Sequence, residues 1–196
     1  SGSPSNSGWT LNVSIAEVAK EILFSFSEEG PFKSTGLMDY IDPRTGEKMP
    51  NPMIQMPLDA NEQDIYVSYK DLRDDMKGPY VVNFDPQKFL INAKVNQLKM
   101  TRNSWLSSKD QSDGRHIVYF SHLNSGRCGI NAVKFSVDNE KLDKQLKLPD
   151  CDPLNPYAVQ GDTYFHLSNT PEFIAVQINF ADGTMSEIVK FKPGMR

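Results

Sequence analysis

The feature that most restricts what this chain can fold into is an internal repeat at an offset of 111 residues. The alternating segment Ile22, Leu23, Phe24, Ser25, Phe26 returns as Val133, Lys134, Phe135, Ser136, Val137. Ile65, Tyr66, Val67, Ser68, Tyr69, Lys70, Asp71 returns as Val176, Gln177, Ile178, Asn179, Phe180, Ala181, Asp182. Asp42 and Pro43 answer Asp152 and Pro153 at an offset of 110, and each copy closes on an apolar alternation ending in Phe, one residue, Pro. Those closing residues are Val82, Phe84 and Pro86, then Ile188, Phe191 and Pro193. Four correspondences in one order predict a structural unit used twice.

Within each copy the period is two, the signature of a half-buried antiparallel strand. In the second copy Phe173 to Phe180 runs into Ala181, Asp182, Gly183, Thr184 and then Ser186 to Phe191, where Asp-Gly suits a tight hairpin turn. The matching place in the first copy, Asp71 to Pro79, is a longer loop. Short strands with frequent Pro and Gly predict an all-β chain of two tandem antiparallel β-sandwiches joined by a short helical connector. The closing hairpin of each copy resembles the last two strands of immunoglobulin-like and fibronectin type III-like domains, and the resemblance implies that architecture for both. It does not extend to a Trp between paired cysteines, since Trp105 lies outside both copies. The expected organisation is a flexible tether over 1–10, a first sandwich over 11–86, a basic connector over 87–115 and a second sandwich over 116–196. In the connector, Phe89, Leu90, Ala93 and Leu98 share one helical face, which favours a helix from Pro86 to Met100 over the strand alternation of Ile91, Ala93 and Val95. Lys109 to Gly114 reads as an exposed loop before a strand from His116 to His122.

Charge is unevenly distributed. Ser14 to Pro86 holds 14 acidic and 7 basic residues, Gln87 to His116 holds 2 and 6, and the whole chain carries -4. An acidic first copy excludes broad contact with a phosphate backbone, so no nucleic-acid partner is expected. No run of about twenty apolar residues exists, so no direct membrane insertion is expected either. The two cysteines, Cys128 and Cys151, lack the close His or Cys neighbours that tetrahedral zinc requires. A disulfide between them closes 22 intervening residues and contributes roughly 3 kcal/mol by loop entropy. That bond predicts an extracellular, periplasmic or cell-surface setting, and free thiols would point to the cytoplasm.

Catalytic signatures are missing. The sequence holds no glycine-rich phosphate loop, dinucleotide fingerprint, serine elbow or histidine pair spaced for zinc, so no catalytic residue, metal or cofactor is assigned. His116 and His122, six apart on one expected strand, would stand about 20 Å from each other. The acidic turn of Asp71, Asp74 and Asp75 lacks the regular ligand alternation of a calcium loop. The proline- and methionine-rich stretch Met49 to Pro57 reads as an edge or ordered loop, and within Asp39 to Pro57 the residues Tyr40, Met49, Met53 and Met56 offer an adaptable apolar surface for a partner. Trp9, Trp105 and Tyr157 are candidates for stacking on sugar rings. The expectation is a non-catalytic binding or scaffolding pair within a larger exported or surface protein, recognising a macromolecular partner, protein or carbohydrate, through inter-strand loops. A carbohydrate-binding pair, or an enzyme with its site at the seam between copies, are the other readings.

Overall fold

The structure, a computed structural model, describes residues 2–5 and 7–194. It is predominantly β, built of antiparallel sheets, and divides into two compact units, Ser1–Phe89 and Leu90–Arg196.

The first unit contains β1 (Gly2–Ser5), β2 (Gly8–Asn12), β3 (Glu21–Ser25), β4 (Lys33–Ser34), β5 (Leu37–Ile41), β6 (Lys48–Pro50), β7 (Met53–Met56), β8 (Gln63–Lys70) and β9 (Met76–Phe84). They form a three-stranded sheet in the order β1-β2-β7, a four-stranded sheet β4-β3-β8-β9, and a separate pair β5-β6. Alternation places Ile65, Val67 and Tyr69 of β8 inward, all buried, and Ile22, Trp9, Leu11, Ile54 and Met56 of the same unit are buried as well. The two sheets meet where the Trp9 ring lies 5.8 Å edge-on from Phe84. Each such fully buried side chain contributes about 1.5–3 kcal/mol relative to exposure. The N-terminal segment expected as a flexible tether is instead a strand pair. β1 and β2 are in register from Gly2↔Leu11 to Ser5↔Gly8, and Trp9 is 2% exposed. Its few apolar residues, Trp9 and Leu11, are too close to the chain start to show a period.

Helix α1 (Pro86–Met100) has the bounds its apolar spacing implies. Asp85 starts it, its carboxylate accepting from the Lys88 N–H at 2.9 Å with Pro86 in the first turn. The division between the units falls inside this helix. Beyond it come β10 (Ser107–Asp110), β11 (His116–Tyr119), the short helix α2 (Ser121–Ser125), a 3-10 turn at Arg127–Gly129, β12 (Ile130–Val137), β13 (Lys144–Leu146), β14 (Tyr164–Leu167), β15 (Ile174–Phe180) and β16 (Val189–Phe191). The sheets of this unit are β10-β11-β14 and β13-β12-β15-β16. Their core joins Val118, Val133, Val176, Ile178 and Phe180 to Val95, Leu98 and Trp105, and Phe135 lies 5.2 Å from Phe165 of the other sheet.

Several local expectations change. Lys109 and Asp110 belong to strand β10, paired with Ile117 and His116, so only Gln111 to Gly114 turns. The strand from His116 stops at Tyr119, and His122 sits on α2. Val67 and Ile178 are buried as their period requires, at 3% and 0% exposure, whereas Phe24 and Phe135 are half-buried. Phe24 pairs with Val67, but Phe135 pairs with Val176, two residues from the position the offset gives. A slip of two keeps the same face inward, so it escapes a reading based on period.

Candidate functional site

The stretch expected to meet a partner contains an ordered hairpin. β5 and β6 flank a turn at 42–47 that is fixed by Asp42, whose side chain is 6% exposed. Its carboxylate accepts from the Arg44 backbone N–H at 2.9 Å, from Nε at 2.9 Å and from Nη2 at 2.6 Å. The Asp42 carbonyl closes the turn by accepting from the Gly46 N–H at 2.8 Å. The Arg44 guanidinium holds the Asp42 carboxyl down at about 2. Anchored in this way, the hairpin leaves Leu37, Tyr40 and Ile41 between 52% and 58% exposed.

Met53 of β7 is 37% exposed, and Met49 lines a cleft of about 300 Å³ with Arg44, Pro50 and Asn12. Met56 does not belong to it. β7 alternates, with Met53 and Gln55 outward and Ile54 and Met56 inward, so Met56 is a core residue at 4% exposure. Leu37 and Ile41 were not singled out from sequence. Their signal was their place in the hairpin flanking Tyr40, which only pairing with β6 reveals.

The three aromatic residues proposed for sugar stacking are not brought together. Trp9 and Trp105 are each 2% exposed. Trp105 donates from Nε1 to the Leu98 carbonyl at 2.9 Å and packs edge-on to Phe180, so it offers no free ring face. Both are corrected to core residues, because a ring of that area is worth more in the core than at the surface. Tyr157 is 45% exposed, but the Lys94 ammonium lies 3.6 Å from its ring centroid.

Cys128 and Cys151 form a disulfide, with Cα atoms 4.7 Å apart. It ties the 3-10 turn to the loop between β13 and β14. Arg127, beside Cys128, is buried and donates from Nε to the Asp150 carbonyl at 2.9 Å and from Nη1 to the Asn124 and Ala158 carbonyls. Asn124, fully buried, holds the same loop through Gln160, its amide donating to the Gln160 carbonyl at 2.7 Å and accepting from the Gln160 N–H at 3.1 Å. Lys94 of α1 is buried nearby, donating to the Ser125 carbonyl at 3.1 Å. Burial, and then the Arg127 charge, lower its pKa to about 8. The sequence does carry a sign of Lys94, since it falls four residues after Leu90 and four before Leu98, in the apolar stripe of α1.

His116 is fully buried, with Nδ1 2.7 Å from the Asp110 carboxylate, which also accepts from the Thr170 hydroxyl. Its Nε2 is buried without a partner. The pair borders a cleft of about 510 Å³ with Ser107, Ser108 and Tyr119. Among the described residues no hydroxyl or thiol is hydrogen-bonded to Nε2, and the Asp110–His116 contact joins β10, β11 and the Thr170 loop. Among the described residues no cluster of three His, Cys, Asp or Glu is placed to hold a metal, and no helix is long and apolar enough to cross a membrane. No protein family, curated protein or solved structure matches the chain.

Proposed function

We propose that the chain is a pair of immunoglobulin-like or fibronectin type III-like β-sandwich modules, part of an exported or surface protein, that binds a protein partner through the β5–β6 hairpin. The architecture is supported by strand order. In sequence order, β1, β2, β3, β4, β7, β8 and β9 have counterparts in β10, β11, β12, β13, β14, β15 and β16, divided three and four between sheets in the same neighbour order. Seven antiparallel strands divided in this way are the usual content of such a module. The export reading rests on the Cys128–Cys151 disulfide, a bond that persists in oxidising compartments.

The observation that carries the binding role is the hairpin itself. It is an addition peculiar to the first unit, since the stretch between β13 and β14 has no strand, and it displays Leu37, Tyr40 and Ile41 on a rigid support. A protein partner is favoured over a carbohydrate because the two tryptophans are in the cores and the hairpin exposes the aliphatic Leu37 and Ile41 among charged residues. The test places a photo-reactive residue at position 40 in the producing cell. A discrete protein adduct is expected, and the double variant Leu37→Asp, Ile41→Asp, checked for native circular dichroism, should weaken binding of that protein about thirtyfold or more, as loss of an interface anchor does. An adduct of unchanged affinity in the double variant, or no adduct at all, would count against the reading.

A further inference from the structure

The second unit buries two cations that feel each other's charge, and among the described residues neither is ion-paired. Lys94 is 1% exposed and Arg127 is 3% exposed. They hold consecutive carbonyls, Lys94 Nζ that of Ser125 and Arg127 Nη1 that of Asn124, which fixes both heads in one place. Among the described residues neither forms an ion pair with a carboxylate. The acid that feels Arg127 is Asp152, which forms no ion pair with it among the described residues and whose carboxylate accepts from Leu154 N–H and Asn155 Nδ2. Buried charges in proteins are paired or coordinated, because carbonyl dipoles alone do not replace the lost hydration. One donor is left over: Arg127 Nη2 is buried with no hydrogen-bond partner.

We propose that Lys94 and Arg127 form a binding site for one oxyanion, the carboxylate or phosphate group of a small molecule or peptide. The orphaned Nη2 supplies a directed N–H, and the ammonium, with three donors and one spent on Ser125, supplies a second. The ammonium lies 3.6 Å from the centroid of the Tyr157 ring, which is half exposed. The walls of the site are pre-set. The disulfide fixes Cys151 against Cys128, so that the Asp150 carbonyl stays on Arg127 Nε. This site lies in the second unit, and its existence does not depend on the role of the hairpin.

The test compares the thermal midpoint of the intact chain in inorganic phosphate, sodium acetate and sodium chloride at matched ionic strength, for the wild type, Lys94→Met and Lys99→Met. A ligand that binds only the folded state raises the midpoint. A rise in phosphate or acetate that disappears in Lys94→Met and survives in Lys99→Met supports the site, and the anion that gives the rise identifies the source of the oxyanion. Equal rises in wild type and Lys94→Met mark a general salt effect and overturn the proposal, as does no rise with either anion. Should Lys94→Met fail to fold, titration of the wild type followed through the Arg127 side-chain Nε–H resonance decides. Saturable movement of that resonance, with chloride giving none, supports the site, and its absence overturns it. Where the variant folds, its affinity for the effective anion should fall about tenfold or more, the loss of one charge-assisted hydrogen bond.

Discussion

Lys94 is where the chemistry of a single residue departs furthest from that of its type. Its folded pKa is lowered from 10.5 to about 8, by burial first and by Arg127 second. Between those values the unfolded chain binds more protons than the folded one, so stability rises with pH. The cost of burying the ammonium is therefore present in full below about pH 8 and is relieved as pH climbs toward 10.5. We expect the denaturant midpoint of the wild type to rise relative to that of Lys94→Met across this window and to run parallel to it below. A constant difference across the window would show that Lys94 keeps its ordinary pKa. His122, lowered by burial and then by the Lys94 charge, titrates on the acid side of the window and does not confuse the comparison.

At the scale of elements, the position of α1 is set by two glycines. A Cβ on Gly129 would lie 2.9 Å from the backbone C of Lys94 and the N of Val95, and one on Gly126 would lie 2.8 Å from Leu98 Cδ2. The first obstacle is helix backbone and the second is the end of a side chain. Gly129→Ala should therefore cost about 1–3 kcal/mol as an overpacking defect, and Gly126→Ala distinctly less, since Leu98 can change rotamer. Equilibrium unfolding in urea measures both; a larger loss at Gly126 would mean that the helix, and not the leucine, yields. The helix itself was readable in advance from Pro86 and the spacing of Leu90 and Leu98. Its partner was not, because Gly126 and Gly129 carry no period.

For the whole molecule, each unit holds one tryptophan, Trp9 in the first and Trp105 in the second, and the disulfide lies in the second. Reduction should lower the transition reported by Trp105, in a Trp9→Phe background, by roughly 3 kcal/mol from loop entropy. The transition reported by Trp9, in a Trp105→Phe background, should move little; equal movement would show the units unfolding as one. The sequence alone determined the alternating strands, α1 and the pairing of Cys128 with Cys151, because each rests on local periodicity or on there being only two thiols. The closing hairpins differ in extent, since pairing with β8 carries strand β9 back to Met76, inside the expected loop Asp71 to Pro79, and β16 covers only Val189–Phe191 of the expected Ser186 to Phe191. The N-terminal strand pair, the two-residue change of register at Phe135, the burial of Trp9, Trp105 and Met56, and the meeting of Lys94 with Arg127 were decided only in three dimensions. Those features depend on which strands become neighbours, and that choice is made by cooperative burial between residues far apart in the chain, which no local pattern records.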